Sequence, residues 1–366
     1  MNLKTFEKKF ISTLTACSFG AAMIFSPVSI PKAEAADALG IGIGIISGVT
    51  QMNQAKKEIE LLDNTEEGQQ ILYKSFTEEY GVNNDPELNA RLDKIMSDLS
   101  KAVAVVDPSI NDKPYLYFVS ADETLNAACG MGHVMMVNTG AFTHLLSDDE
   151  IAAVVGHEMG HGQKNHVATK VKKHINKQML AQVGASAAGG GTLTNVIAGI
   201  ALKQSVAHGD RAQETEADNL AWEYILHTNY NIGACAAVQQ KFVELFGAKN
   251  SSNFLNPSDH PDSDKRRENY AKKLYEYSGK HVTAEDGVIK INGKVFTTVA
   301  ETSTMSSAER AYFVFGNLAA AYHNKQNNSQ ATVSNNTVML GNQPIMTAMD
   351  GDEDANTLAE KLNSIK

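Results

Sequence analysis

Between residues 85 and 104 the apolar positions Leu88, Leu92, Ile95 and Leu99 recur at spacings of four, three and four, the period of one buried helix face. Asp85-Pro86 at the head offers a capping carboxylate and a fixed φ, so a helical lead-in is expected over about residues 51–104. The period then changes. "YLYFVSA" (115–121) and "HVMMVNTG" (133–140) are short, rich in β-formers and bounded by Pro114, Gly130, Gly132 and Gly140, and they read as two strands. Ser147-Asp148-Asp149-Glu150 is a capping box that opens the next helix, whose buried face is supplied by Ile151, Val154 and Val155. Further helices are expected over residues 210–227 and up to Phe246. The uncharged stretch between Lys177 and Lys203 is mostly Ala and Gly and is divided by Gly189-Gly190-Gly191, which favours two buried helical segments over a membrane hairpin.

Past Ser278 the texture alternates again. "VIKINGKVFTTV" turns about Asn292-Gly293, a two-residue hairpin signal, and "SAERAYFVFGNLAAAYH" follows as a helix. "NKQNNSQATVSNNT" (324–337) is expected to be a polar linker too hydrophilic to pack, and "ANTLAEKLNSI" a last amphipathic turn or two. No internal repeat is evident. The expected architecture is α+β, mostly helical with a small sheet, divided into a body over 36–278 and a small C-terminal α+β module over 279–366.

Residues 1–35 change the picture of where the chain works. Lys4, Lys8 and Lys9 precede an apolar run, and Ala33-Glu34-Ala35 supplies a small-x-small cleavage site, so an export signal ending at Ala35 is expected. "LTAC" up to Cys17 lies too close to the lysines for a lipoprotein box. Loss of four lysines and two glutamates with the signal moves the formal charge from -10 to -12, which argues against nucleic acid or another polyanion as partner. A span of the membrane is not expected, while surface association and oligomeric state stay open. Cys129 and Cys235, the cysteines left after cleavage, are too few for a disulfide scaffold and are expected to be separate buried thiols.

The chemistry lies in "EIAAVVGHEMGHGQKNH" (150–166). On a helix His157 and His161 share a face and can reach one metal ion, with Glu158 one step round toward its open side, the HExxH arrangement of zinc hydrolases. A catalytic zinc takes a third protein ligand. His166, five residues past His161, falls off that face and reads as a helix-end or packing residue. The acidic helix "DRAQETEADNLAWEY" offers Glu214 as the ligand, with Asp218 four later to orient a ligand imidazole.

HExxH followed by R-x-x-E-x-x-A-D (Arg211, Glu214, Ala217, Asp218) and H-P-x-x-x-x-R (His260, Pro261, Arg266) resembles the HtpX and CAAX-prenyl-protease family of zinc metallopeptidases, metallopeptidase family 48. The likeness reaches back through "NAACGMG" (126–132) and covers about residues 70–275. It implies a gluzincin fold, one zinc on His157, His161 and Glu214, Glu158 as catalytic base, and Arg211, Asp218 and Arg266 around them. It also draws His260 to the site, as a gate on the metal or as a donor to the developing oxyanion. Asp210 and Gly130-Met131-Gly132 depart from the family pattern, and the family's membrane helices are missing, so a soluble exported branch is implied. Zinc would activate water for attack on a peptide bond, with Glu158 taking its proton. Polypeptide substrates, unfolded or misfolded envelope proteins, would pair with an exposed sheet edge, for which "HVMMVN" is the candidate. The rival expectation is a zinc-containing chaperone or assembly factor that cleaves little.

Overall fold

The structure is a computed structural model that describes residues 40–175, 193–205, 211–247 and 263–366. The chain divides into two units, Met1–Ser47 and Gly48–Lys366, and the second holds the site. The expected signal at 1–35, Cys17, the Gly189-Gly190-Gly191 divider and His260 lie outside the described residues. Among the described residues no helix is long and apolar enough to cross a membrane.

The lead-in forms α1 (Gly40–Asn64), α2 (Glu66–Tyr80) and α3 (Pro86–Val106). Asp85 caps α3 by accepting from the N–H groups of Glu87 and Leu88, with Pro86 at the first helical position where no N–H is missed. Leu92, Ile95 and Leu99 are buried, as their spacing requires.

Three strands follow: β1 (Leu116–Ser120), β2 (Ala127–Cys129) and β3 (Val134–Asn138), in the order β1-β3-β2. β1 runs parallel to β3 and β2 antiparallel to it. The strand read from "HVMMVN" is therefore the centre of the sheet and not its exposed edge; β2 takes the outer position beside the helix that carries HExxH. β2 escapes sequence reading because Ala127, Ala128 and Cys129 have neither alternation nor β-branching, and all three are buried.

A short α4 (Thr139–His144) leads to α5 (Asp148–Gln163), which opens with the expected capping box: Glu150 N–H donates to Ser147 Oγ at 3.2 Å and Ser147 N–H to Glu150 Oε2 at 3.0 Å. Then come α6 (His166–His174), α7 (Leu193–Ser205), α8 (Arg211–Leu226), α9 (Ala234–Phe246) and α10 (Ser263–Tyr277). α5 and α8 pack closely because small residues meet: a Cβ built on Gly160 would stand 3.0 Å from the Ala217 Cα and carbonyl oxygen. That approach sets the site.

After α10 the chain forms β4 (Val282–Glu285), β5 (Val288–Ile291), β6 (Lys294–Thr298), α11 (Ser307–His323), β7 (Ala331–Ser334), β8 (Thr337–Leu340), β9 (Gln343–Thr347) and α12 (Ala355–Ile365). Asn292 and Gly293 take φ of 53° and 78°, the two left-handed residues that a tight hairpin of this twist needs. Two expectations are corrected here. Residues 331–334, read as part of a polar linker over 324–337, form a strand paired with 337–340, because Ala331, Val338 and Leu340 are buried on the face turned to the core. An internal repeat is also present. β4, β5 and β6 begin 49 residues before β7, β8 and β9, and both sheets are antiparallel with a bulge at the same place, Ile289/Lys290 and Val338/Met339. α11 packs on β4 and on β9, and α12 on β7 and on β6, so each helix covers its own copy and the third strand of the other. The buried side chains of this region share one core with Ile151, Trp222 and Val238 of the body.

Candidate metal centre

One turn of α5 separates His157 and His161, whose Nε2 atoms stand 3.2 Å apart, each residue 8% exposed. α8, drawn in by the glycine contact, brings Glu214, 1% exposed, with its carboxylate oxygens 3.3 Å from His157 Nε2 and 3.4 Å from His161 Nε2. One donor atom from each of the three lies within 4.8 Å of the others. Both rings engage their remaining nitrogen elsewhere, which leaves the Nε2 atoms turned to a common point: His157 Nδ1 is 2.9 Å from Asp218 Oδ1, and His161 Nδ1 is 2.8 Å from His166 Nδ1. Two imidazole nitrogens and a buried carboxylate are the donor set of catalytic zinc sites with three protein ligands, so these residues fit that ion.

Asp218 is itself held. Arg266 grips both of its oxygens, Nε to Oδ2 at 2.8 Å, and the Tyr270 hydroxyl donates to Oδ1 at 2.9 Å. Burial pushes the Asp218 carboxyl up, but the Arg266 guanidinium and His157 together outweigh it and hold the group well below the usual carboxylate range. In the metal-free protein burial and Arg266 push His157 down, and its hydrogen bonds with Asp218 and Glu214 more than offset them and raise it to about 9. His161 has the weaker support and burial takes it down to about 4.

Glu158 points toward the sheet, where the Cys129 N–H of β2 donates to its Oε2 at 3.1 Å. The carboxylate next to the donor cluster is thus anchored on the sheet's outer strand. Cys129 and Cys235 are separate buried thiols, both pushed up by burial, Cys235 to about 12, so neither is a ready thiolate.

Arg266, expected around the ligands, lies on Asp218. Arg211, expected nearby, is exposed at the head of α8, three residues before Glu214. His166 is a helix-end, packed residue as expected, buried at the head of α6, but what it packs against is His161. The helical-wheel argument assumed an unbroken helix, whereas α5 ends at Gln163 and Asn165 takes the left-handed conformation at φ 50°, so His166 folds back over the last turn. Asn165 was the available signal, since asparagine tolerates that conformation. Glu216, whose Oε2 lies 3.2 Å from His166 Nε2, and Tyr270 carried no motif and were not foreseen.

The family described as Peptidase family M48 matches residues 86–273, just over half of the chain. Curated relatives share part of that stretch. Metalloprotease LoiP of Escherichia coli (strain K12) is 26% identical over 168 residues, 45% of this chain and 65% of LoiP. A putative beta-barrel assembly-enhancing protease of Vibrio cholerae is 27% identical over 42% of this chain and 32% of its own length. The mitochondrial metalloendopeptidase OMA1 of Arabidopsis thaliana is 30% identical over 39% of this chain and 28% of its own. The match therefore spans under two thirds of LoiP and about a third or less of the other two.

Proposed function

The chain belongs to peptidase family M48, and on that premise we propose that it is a zinc-dependent endopeptidase of gluzincin type that cleaves unfolded or misfolded exported proteins of the cell envelope. The observation that carries the reading is the convergence of His157, His161 and Glu214 from two helices with Glu158 next to them. Zinc held there supplies a Lewis acid that acidifies water and polarises a peptide carbonyl. Glu158 takes the proton of the attacking water and delivers it to the leaving amine. Asp218, gripped by Arg266 and Tyr270, keeps His157 in the orientation and tautomer that present Nε2. Substrate binds as an extended strand along the outer edge of β2, the edge that meets Glu158, because main-chain pairing accepts unfolded polypeptide with little demand on side chains. His260 remains proposed as gate or oxyanion donor. The net charge of -10 fits polypeptide partners better than nucleic acid. The name of the Vibrio relative, a beta-barrel assembly-enhancing protease, agrees with envelope proteins as the substrate class.

Glu158→Gln tests the reading against a zinc chaperone that needs no base. It should keep one zinc per chain and lower kcat/KM on unfolded casein by about 100- to 10,000-fold, the range of a lost general base. Equal cleavage by both proteins would overturn the peptidase and leave the chaperone.

A further inference from the structure

His161 hands its second nitrogen to another imidazole, where His157 has a carboxylate. His166 is buried, its Nδ1 is 2.8 Å from His161 Nδ1, and the rings meet edge to face with centroids 4.9 Å apart. Its other nitrogen, Nε2, is 3.2 Å from Glu216 Oε2, and Lys164 Nζ lies 3.7 Å from Glu216 Oε1. A single proton separates the two Nδ1 atoms, and its owner decides what His161 can do. If His166 held it, His161 would carry its own proton on Nε2 and could not bind a metal through that atom. If His161 holds it, Nε2 is bare. A carboxylate accepts and never donates when ionised, so Glu216 requires a proton on His166 Nε2. That leaves His166 Nδ1 as an acceptor in the neutral ring and sends the shared proton to His161.

We infer that Glu216 and His166 form a tautomer-setting relay that keeps His161 Nε2 free for the metal, the counterpart through an imidazole of what Asp218 does directly for His157. The inference rests on the metallopeptidase reading of the site. His166 is a positioning residue, acting through His161. The relay runs Glu216 carboxylate, His166 Nε2–H, His166 Nδ1 accepting from His161 Nδ1–H, and His161 Nε2 toward the ion. All the protons are accounted for, and both rings are neutral. The α5 break makes it: without the left-handed Asn165 the chain could not return His166 over His161.

Zinc affinity, read by competition with a chromophoric chelator, tests it without recourse to turnover. His166→Leu should weaken zinc about 10- to 100-fold, the usual scale for losing the group behind a ligand histidine. His166→Asn puts an amide oxygen where Nδ1 accepts and should hold affinity within about threefold of wild type. Nitrogen-15 spectra of the zinc-loaded wild type need no variant to fold, and should show a proton on His161 Nδ1 and on His166 Nε2 with His166 Nδ1 bare. A proton on His166 Nδ1, equal affinity for wild type and His166→Leu, or no rescue by His166→Asn would each overturn the relay. If wild type holds zinc no better than Glu214→Ala does, the metal reading itself fails and the relay with it; tight wild-type binding with any of the three results above removes the relay alone.

Discussion

α5 has a buried cluster of ionisable groups at each end, and the two are built on opposite plans. At its start Glu150, fully buried, meets Lys241 of α9 and Glu309 of α11: Lys241 Nζ donates to Glu150 Oε1 at 2.6 Å and to the His144 carbonyl at 3.1 Å, and lies 2.8 Å from Glu309 Oε1. The chain's own cation stands in the middle. At the far end the chain's cation, Arg266, stands behind the donors on Asp218, while the Nε2 atoms of His157 and His161 and the Glu214 carboxylate face one another. Both clusters are buried and both contain acidic groups, so burial of charge does not mark a site by itself. The mark is which side of the donors the fixed cation occupies. A lysine among them makes a strut, here tying the capping box of the helix that carries HExxH to the duplicated C-terminal region; an arginine behind them leaves the donors facing one another, an arrangement that fits a cation from outside.

Exchanging the roles gives the largest expected effect. Lys241→Met leaves two buried carboxylates without their cation and should cost about 3–5 kcal/mol in urea unfolding of the metal-free protein, with zinc affinity of the folded fraction near wild type. Glu214→Ala should do the reverse, losing most of the zinc with a much smaller change in metal-free stability, since two imidazoles are a poor site on their own. Loss of zinc affinity in Lys241→Met as deep as in Glu214→Ala would erase the distinction.

A smaller effect separates geometry from charge. Gly156 and Gly160 lie one turn apart on the face of α5 that meets α8. A Cβ at Gly156 would touch Ala221 atoms at 3.8 and 3.9 Å, ordinary contact, but one at Gly160 would stand 3.0 Å from Ala217 backbone. Gly160→Ala must part the helices by a few tenths of an ångström next to Glu214 and should cost about 1–3 kcal/mol and weaken zinc. Gly156→Ala should be neutral or stabilise by up to about 1 kcal/mol through helix propensity, with zinc unchanged. Parallel results from the two would mean that helix spacing does not set the donor cluster.

The same contrast shows what the chain states openly. HExxH, the Ser147–Glu150 capping box and the Asp85-Pro86 helix start are local patterns whose physics lies within four residues, and each stands in the structure as read. Glu214 and Asp218 were legible because zinc needs a third ligand and a braced imidazole, which narrows the search to acidic pairs on one helix face. What stayed hidden depends on distant packing or on a break in a period. β2 has no strand signature and forms because β3 offers it a ladder. Of the seventeen positions from 282 to 298 only Thr283 and Thr298 find the same residue 49 further on, so the repeat is kept in polarity and turn position rather than in identity. Lys241, Glu150 and Glu309 are far apart in the chain, and nothing in any one of their helices announces the other two.

The gentlest test concerns the proton inside the strut. Burial raises the Glu309 carboxyl, Lys241 pulls it back, and the neighbouring Glu150 charge adds to the rise; the net direction is upward from an ordinary 4.5. A carboxyl that binds its proton more firmly folded than unfolded contributes stability in full below about 4.5, and the contribution fades as pH climbs through the raised value. Glu309→Gln keeps the shape and a donor toward Glu150 but has nothing to titrate. Melting curves taken with chelator present, so that no metal enters the pH dependence, should therefore fall less between about pH 5 and 9 for Glu309→Gln than for wild type, whose carboxyl, pushed up to about 8, loses its proton in that range. Curves that stay parallel across that range would mean Glu309 is ionised throughout, with Lys241 balancing two full carboxylates. In that case the strut would be held by charge alone, and Lys241→Met should then be costlier still.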